Sequence, residues 1–173
     1  KKVGGKLIEI PHTKNISSHS LKEIMYSELT VPSNRQATLK RLLQAKNISR
    51  FLEAHSPLSA IIAEQVYYKN KQGKKIEFDG FWSSSLTDST LKGKPDIEVL
   101  DINQRLSNIN DIFDVTTKPL IIDIDTGGKI EHLEINLKTI ERSGASAVIM
   151  EDKKGLKKNS LFGNTVKQEQ ENI

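Results

Sequence analysis

Apolar positions along this chain alternate between two rhythms, one of helices and one of short strands. Leu39, Leu42 and Leu43 share a helical face, with Ser33 or Asn34 placed to cap the first turn. Residues 48–54 then read as a strand ending in Glu53-Ala54-His55. Ser56-Pro57 predicts a helix start, with serine as cap and proline at the first position, continued through Ile61, Ile62 and Val66. Lys69-Asn70-Lys71-Gln72-Gly73-Lys74-Lys75 breaks that pattern as a charged turn, so 67–78 reads as a surface hairpin. A second strand is expected at 79–84. The polar residues from 85 to about 98 read as a loop, long enough to be functional or disordered. Leu106, Ile109, Ile112 and Phe113 predict the next helix, and 119–123 the third strand. Ile130, Leu133, Leu137 and Ile140 line a further helix, Gly144 is placed to stop it, and 147–150 is the fourth strand.

Strand followed by helix, repeated, argues for an α/β fold with a parallel sheet and right-handed crossovers. Such folds place their sites beyond strand C-termini, where the suspect polar residues of this chain fall. Composition narrows the partners. The 173 residues, 36% of them apolar, suffice for one ordinary domain. The 26 basic and 22 acidic side chains are well mixed and only 5% of residues are aromatic, which argues against nucleic-acid binding. Without cysteine, disulfides and thiolate metal sites are excluded. With no signal peptide or membrane-length apolar run, the expectation is a soluble cytoplasmic protein with no membrane partner.

Three motifs carry candidate chemistry. In 147–162, an apolar run ends in Glu151-Asp152 and opens onto a loop with Lys153, Lys157, Asn159 and Ser160. Acid at a strand end, followed by lysines and amide or hydroxyl donors, suits a metal-assisted site for a phosphorylated anion. The plain alternative is a solvated surface loop. In Asp123-Ile124-Asp125-Thr126-Gly127-Gly128, strand alternation would put both carboxylates on one side and Ile124 on the other. Carboxylates held that way repel unless a cation lies near, and Mg²⁺ prefers such oxygen ligands, with Glu151 on the adjacent expected strand. The alternative is a turn into the following helix. In 79–86, the backbone N–H groups of Ser85 and Leu86 could face a cavity and hold an oxyanion. The competing reading is a buried strand with Trp82 in the core. Asp96, downstream, offers another carboxylate or a plain turn former.

From about Leu39 onward these segments resemble the isocitrate lyase and phosphoenolpyruvate mutase superfamily, most closely its mutases. Glu151-Asp152-Lys153, Lys157, Asn159 and Ser160 are similar to the mutase gating loop. Phe51-Leu52-Glu53-Ala54-His55-Ser56-Pro57 resembles the first strand and helix, and Asp79-Gly80-Phe81-Trp82 with Ser84 the second strand. Asp96 follows Trp82 by fourteen residues, as the family's loop aspartate does. Asp123-Ile124-Asp125-Thr126-Gly127 matches the D-G-D-T-G metal motif with isoleucine for glycine, and Ser85 stands where glycine is frequent.

The resemblance implies a partial TIM-type (β/α)8 barrel, about its first four β/α units, over 33–173. It implies Mg²⁺ met directly by Asp123, with Asp96, Asp125 and Glu151 holding its waters. Trp82 and Ser84 would lie beside a small-molecule substrate, phosphoenolpyruvate or phosphonopyruvate. Asn159 and Ser84, with Ser160 and Leu161 nearby, would hold the phosphoryl group, and Lys157 would arrive as the loop closes. A complete barrel of this type needs roughly 250 residues, and the chain begins Lys1-Lys2-Val3 with no methionine. The expectation is therefore a piece of a longer protein, inactive alone and a homo-oligomer at full length. Residues 1–32 are expected to be a separate remnant plus linker. Their Pro11-His12-Thr13-Lys14-Asn15-Ile16-Ser17-Ser18 faintly resembles a closing segment of cytidylyltransferase-like domains. A phosphonopyruvate hydrolase and a noncatalytic interaction module are the alternatives. Lyases of the isocitrate type need a cysteine that this chain lacks.

Overall fold

The computed structural model describes residues 17–25, 30–158 and 169–170. Residues 1–16, with all but the last two residues of the 11–18 resemblance, and Asn159, Ser160 and Leu161 lie outside those residues. In chain order the elements are α1 (Ser18–Met25), α2 (Pro32–Ala45), β1 (Phe51–Glu53), α3 (Pro57–Gln65), β2 (Tyr67–Lys69) and β3 (Lys75–Glu77). There follow β4 (Gly80–Ser83), α4 (Ser85–Leu91), α5 (Ile102–Asp114), β5 (Leu120–Asp123), α6 (Ile130–Ser143) and β6 (Ala147–Ile149). The main sheet has the order β1-β4-β5-β6, every pair parallel. Each strand is added beside its predecessor with no reversal of order, the winding of a barrel rather than of a doubly wound sheet. The expected hairpin is β2 paired antiparallel with β3, apart from the main sheet.

Register divides the sheet into two faces. Phe81, Ser83, Leu120 and Ile122 are buried beneath the helices, against Leu106, Ile109, Ile112 and Phe113 of α5. Fully burying such an apolar side chain contributes about 1.5–3 kcal/mol. Along the strands the alternate positions, Glu53, Trp82, Ile121 and Ala147, sit in one row on the other face. Trp82 is 39% exposed there, so it is not a core residue.

Two helix expectations need correction. Ser33 and Asn34 do not cap α2: the helix begins at Pro32, and its cap position, Val31, makes no side-chain bond. Proline supplies the start through its fixed φ. Nor do the three leucines form a buried stripe, since Leu39 is buried and Leu43 is 62% exposed. The buried partner of Leu39 is Arg35, one turn earlier. Its guanidinium donates to the carbonyls of Phe113, Thr116 and Lys118 and lies 4.4 Å from the Phe113 ring centroid. Burial lowers its pKa to about 10, against the opposing charge of Glu64. Gln36 adds bonds to the carbonyls of Glu141 and Ala145. Helix α2 therefore closes the N-terminal end of β5 and β6, opposite the carboxylates.

Other local signals hold. Ser56 caps α3 in a reciprocal capping box with Ser59, and Pro57 opens the helix. Gly144 ends α6 at φ 104°, a left-handed conformation that glycine adopts without steric cost. The expected loop at 85–98 is corrected: its first half is α4, capped by Ser84, whose Oγ accepts from the Thr87 N–H at 3.4 Å. Among the described residues, no helix is long and apolar enough to cross a membrane.

Candidate active site

The carboxylates singled out by sequence meet at the C-terminal ends of β4, β5 and β6, and a lysine lies among them. Asp123 is the last residue of β5, and Asp125 sits two residues on at φ 53°. Strand alternation therefore does not carry Asp125 to the side of Asp123 as expected, because the strand has ended. A left-handed turn does so instead, drawn tight by the Asp125 N–H donating to Asp123 Oδ1 at 3.0 Å. Ile124 points away into the apolar core as expected, 7% exposed. The β6 backbone grips this turn: Ile124 N–H donates to the Ile149 carbonyl at 2.9 Å and Glu151 N–H to the Asp125 carbonyl at 2.7 Å.

Lys157 reaches into the centre, only 6% exposed. Its Nζ lies 2.7 Å from Asp96 Oδ2, 2.8 Å from Asp125 Oδ1 and 3.8 Å from Glu151 Oε1. It also lies 3.3 Å from Ser85 Oγ. Burial alone would lower its pKa, but the bonds to Asp125 and Asp96 outweigh that and raise it, so the side chain is an ammonium. Asp125 is shifted upward, first by burial and further by the charge of Asp123, against the bonds from Lys157 and Ser85. Lys153 Nζ pairs with Glu151 Oε2 at 2.5 Å.

The serine segment faces the same cluster. Ser85 Oγ is 3.0 Å from Asp123 Oδ2 and 3.4 Å from Asp96 Oδ1. Ser85 and Leu86 form the first turn of α4, where N–H groups have no partner within the helix. The Ser85 N–H points at Asp123 Oδ2, 3.4 Å away, rather than into open space. Ser84 is buried and its Oγ caps the helix. Two clefts border the cluster, one lined by Glu98, Asp125, Gly127 and Leu156, the other by Thr126, Met150, Glu151 and Lys153. Trp82, Ser84 and Ser85 line neither.

The donor set is all oxygen, as a hard divalent cation requires. In this arrangement the charge of Asp96 and Asp125 is compensated by the Lys157 ammonium, with Glu151 3.8 Å from it. As arranged here, with Lys157 between them, no three carboxylates among the described residues are gathered closely enough to hold a metal ion. The chemistry of the site fits Mg²⁺; its carboxylates are apportioned to Lys157 and Ser85.

Sequence reasoning missed three residues that shape this site. Glu98, at φ 61°, accepts from Thr126 Oγ1 at 2.7 Å and from the Lys157 N–H at 2.9 Å, tying the lysine-bearing loop to the Asp125 turn. Arg105 and Asp88 form a buried ion pair beneath Asp123. A basic residue at position 105, in the middle of an otherwise apolar helix face, was the legible signal for that pair.

Comparison with known proteins fits this geometry. The family model described as phosphoenolpyruvate phosphomutase matches residues 39–173. The phosphoenolpyruvate phosphomutase of Tetrahymena pyriformis is 34% identical over 132 residues, covering 75% of this chain and 41% of that protein. A crystal structure of the phosphoenolpyruvate phosphomutase from Streptomyces platensis subsp. rosaceus superposes with a TM-score of 0.66 at 32% identity, over 79% of this chain and 44% of that one. A phosphonopyruvate hydrolase solved with oxalate and Mg²⁺ superposes at 0.60, also at 32% identity, over 69% and 39%. The chain thus spans about two fifths of the length of these relatives. The family model matches well over half of the chain, and the chain belongs to the phosphoenolpyruvate phosphomutase family.

Proposed function

We propose that the full-length protein is an Mg²⁺-dependent phosphoenolpyruvate mutase, interconverting phosphoenolpyruvate and phosphonopyruvate. The observation that carries this reading is the meeting of Asp96, Asp123, Asp125, Glu151, Ser85 and Lys157 at one end of a parallel sheet. In the forward direction the O–P bond of phosphoenolpyruvate breaks and a C–P bond forms at the methylene carbon, with no water consumed. Asp123 would hold the cation, with Asp96, Asp125 and Glu151 around it. When bound, Mg²⁺ supplies positive charge to the carboxylate and enolate oxygens as phosphoryl departs.

The chain's own groups then have separable tasks. At the start of α4 the Leu86 N–H, and that of Ser85 once it is released from Asp123, would meet the enolate oxygen, where preorganised donors stabilise developing charge. Trp82 and Ser84 border the substrate. With a cation held by the carboxylates, Lys157 would be released from Asp96 and Asp125, and its ammonium would serve the phosphoryl oxygens. Asn159, with Ser160 and Leu161, steadies the phosphoryl group in flight. A loose transition state makes positioning and exclusion of water the main demands. The protein works in the cytoplasm as a homo-oligomer.

Asn159 offers the sharpest test of the gate. Replacing it with alanine in the full-length protein should lower kcat on phosphonopyruvate by about a hundredfold, with a smaller change in KM. An unchanged kcat would remove Asn159 from the mechanism.

A further inference from the structure

The ladder between β4 and β5 ends at the pair Ser83 with Ile122. Beyond that point β4 turns into α4, whereas β5 runs on to Asp123. The two strands part where the candidate site begins, and backbone bonds no longer fix their separation. Arg105, projecting from α5 and 4% exposed, spans this gap. Its Nη1 donates to the Asp123 carbonyl, while Nη2 lies 3.4 Å from the Ser83 carbonyl and 3.3 Å from Ser83 Oγ. Its Nε donates to Asp88 Oδ2 at 2.8 Å, and Ser83 Oγ lies 3.3 Å from that same oxygen. Asp88 belongs to α4, the helix that presents Ser85. One planar guanidinium therefore holds the end of β5, the end of β4 and the first helix after it.

We infer that Arg105, oriented by Asp88, is a positioning residue that sets the spacing between the Asp123 carboxylate and the Ser84–Ser85 turn, and so tunes divalent-cation binding. The inference rests on the reading of Asp123 as the residue that holds the cation. A buried ion pair is weak as a device for stability, since well-packed apolar replacements are frequently as stable. Here its place beneath two strand ends gives it a geometric task. A planar guanidinium presents its donors in a rigid fork that can grip two strand ends in a fixed geometry, whereas an ammonium on a flexible stem is a compact charge with rotatable donors.

The test uses the full-length protein and Mn²⁺ as probe, with free Mn²⁺ followed by electron paramagnetic resonance. Unmodified protein should bind Mn²⁺, and Asp123→Ala should not. The double variant Arg105→Met/Asp88→Leu removes the pair without leaving a lone buried charge. It should keep a melting temperature close to that of the unmodified protein, yet bind Mn²⁺ about tenfold more weakly or worse, as losses around a metal ligand do. Arg105→Lys retains the charge and should show the same weakening; it carries the test if the double variant does not fold. A folded variant with unchanged Mn²⁺ affinity overturns the positioning role alone. Failure of the unmodified protein to bind Mn²⁺, or equal binding by Asp123→Ala, overturns the cation reading and this inference with it.

Discussion

At the scale of single residues, the site is a balance of charge settled at a few ångströms. Asp123, Asp125, Asp96 and Glu151 crowd one end of the sheet; the Lys157 ammonium offsets Asp96 and Asp125, and Lys153 is the nearer cation to Glu151. If Asp123 meets Mg²⁺ directly, Asp123→Ala in the full-length protein should abolish turnover at any Mg²⁺ concentration. Asp125→Ala should instead raise the Mg²⁺ concentration needed for half-maximal rate, because a water-mediated contact compensates less of the ion's charge. Equal effects of the two substitutions would contradict that ranking. Glu98 bears a different load. Its carboxylate holds both Thr126 and the Lys157 backbone, at the cost of a left-handed conformation unusual outside glycine. Glu98→Ala should free the loop, seen as faster hydrogen exchange at the Lys157 amide while α5 amides keep their protection.

At the scale of elements, most of the fold was legible. Helix α5 announced itself through Leu106, Ile109, Ile112 and Phe113, all of which are buried. The Ser56-Pro57 start and the Gly144 stop were read correctly because capping is a local affair, settled by neighbouring backbone. Helix α4 was missed because its residues, Ser85–Leu91, are mostly polar, and its two leucines, Leu86 and Leu91, make no apolar period. What stabilises it is a cap from Ser84 and the buried contacts of Asp88, neither visible as a pattern. Arg35 was missed for a related reason: a buried arginine is fixed by the loop carbonyls that it meets, and those lie some eighty residues away in sequence. The four carboxylates were found from motif and resemblance, but the lysine seated among them could be placed only in three dimensions.

Asp79 lets an element junction be tested by pH. Burial pushes its carboxyl upward, but the Lys46 ammonium and the Arg50 N–H, 2.9 Å away, outweigh that and hold it below the usual carboxylate range. A depressed folded pKa contributes stability that is present above the unfolded value and lost as pH falls through the folded one. Thermal midpoints measured between about pH 6 and pH 2 should therefore fall less steeply in Asp79→Asn than in the unmodified protein, with lower stability at the upper end. Parallel curves would remove Asp79 from the acid response.

At the scale of the whole molecule, the open face is the governing feature. Trp82 and its row lie on the side of the sheet away from the helices, and the winding of β1-β4-β5-β6 is that of a barrel segment. A longer relative superposes on this segment. The proposed chemistry belongs to the full-length protein, in which the sheet's open face and the loop from Lys153 onward would together exclude water. Water exclusion is also what divides a mutase from a hydrolase. Both readings use the same carboxylates and the same cation, and they differ in whether the phosphoryl group meets carbon or oxygen.

Phosphorus resonance spectroscopy of phosphonopyruvate incubated with the full-length protein and Mg²⁺ tests this most directly, because C–P, enol-phosphate and inorganic phosphate signals are resolved from one another. The mutase reading predicts that the C–P signal gives way to phosphoenolpyruvate, with no matching growth of inorganic phosphate and no conversion by Asp123→Ala. Inorganic phosphate as the main product would establish a hydrolase instead, and an unchanged C–P signal would contradict catalysis on this substrate altogether.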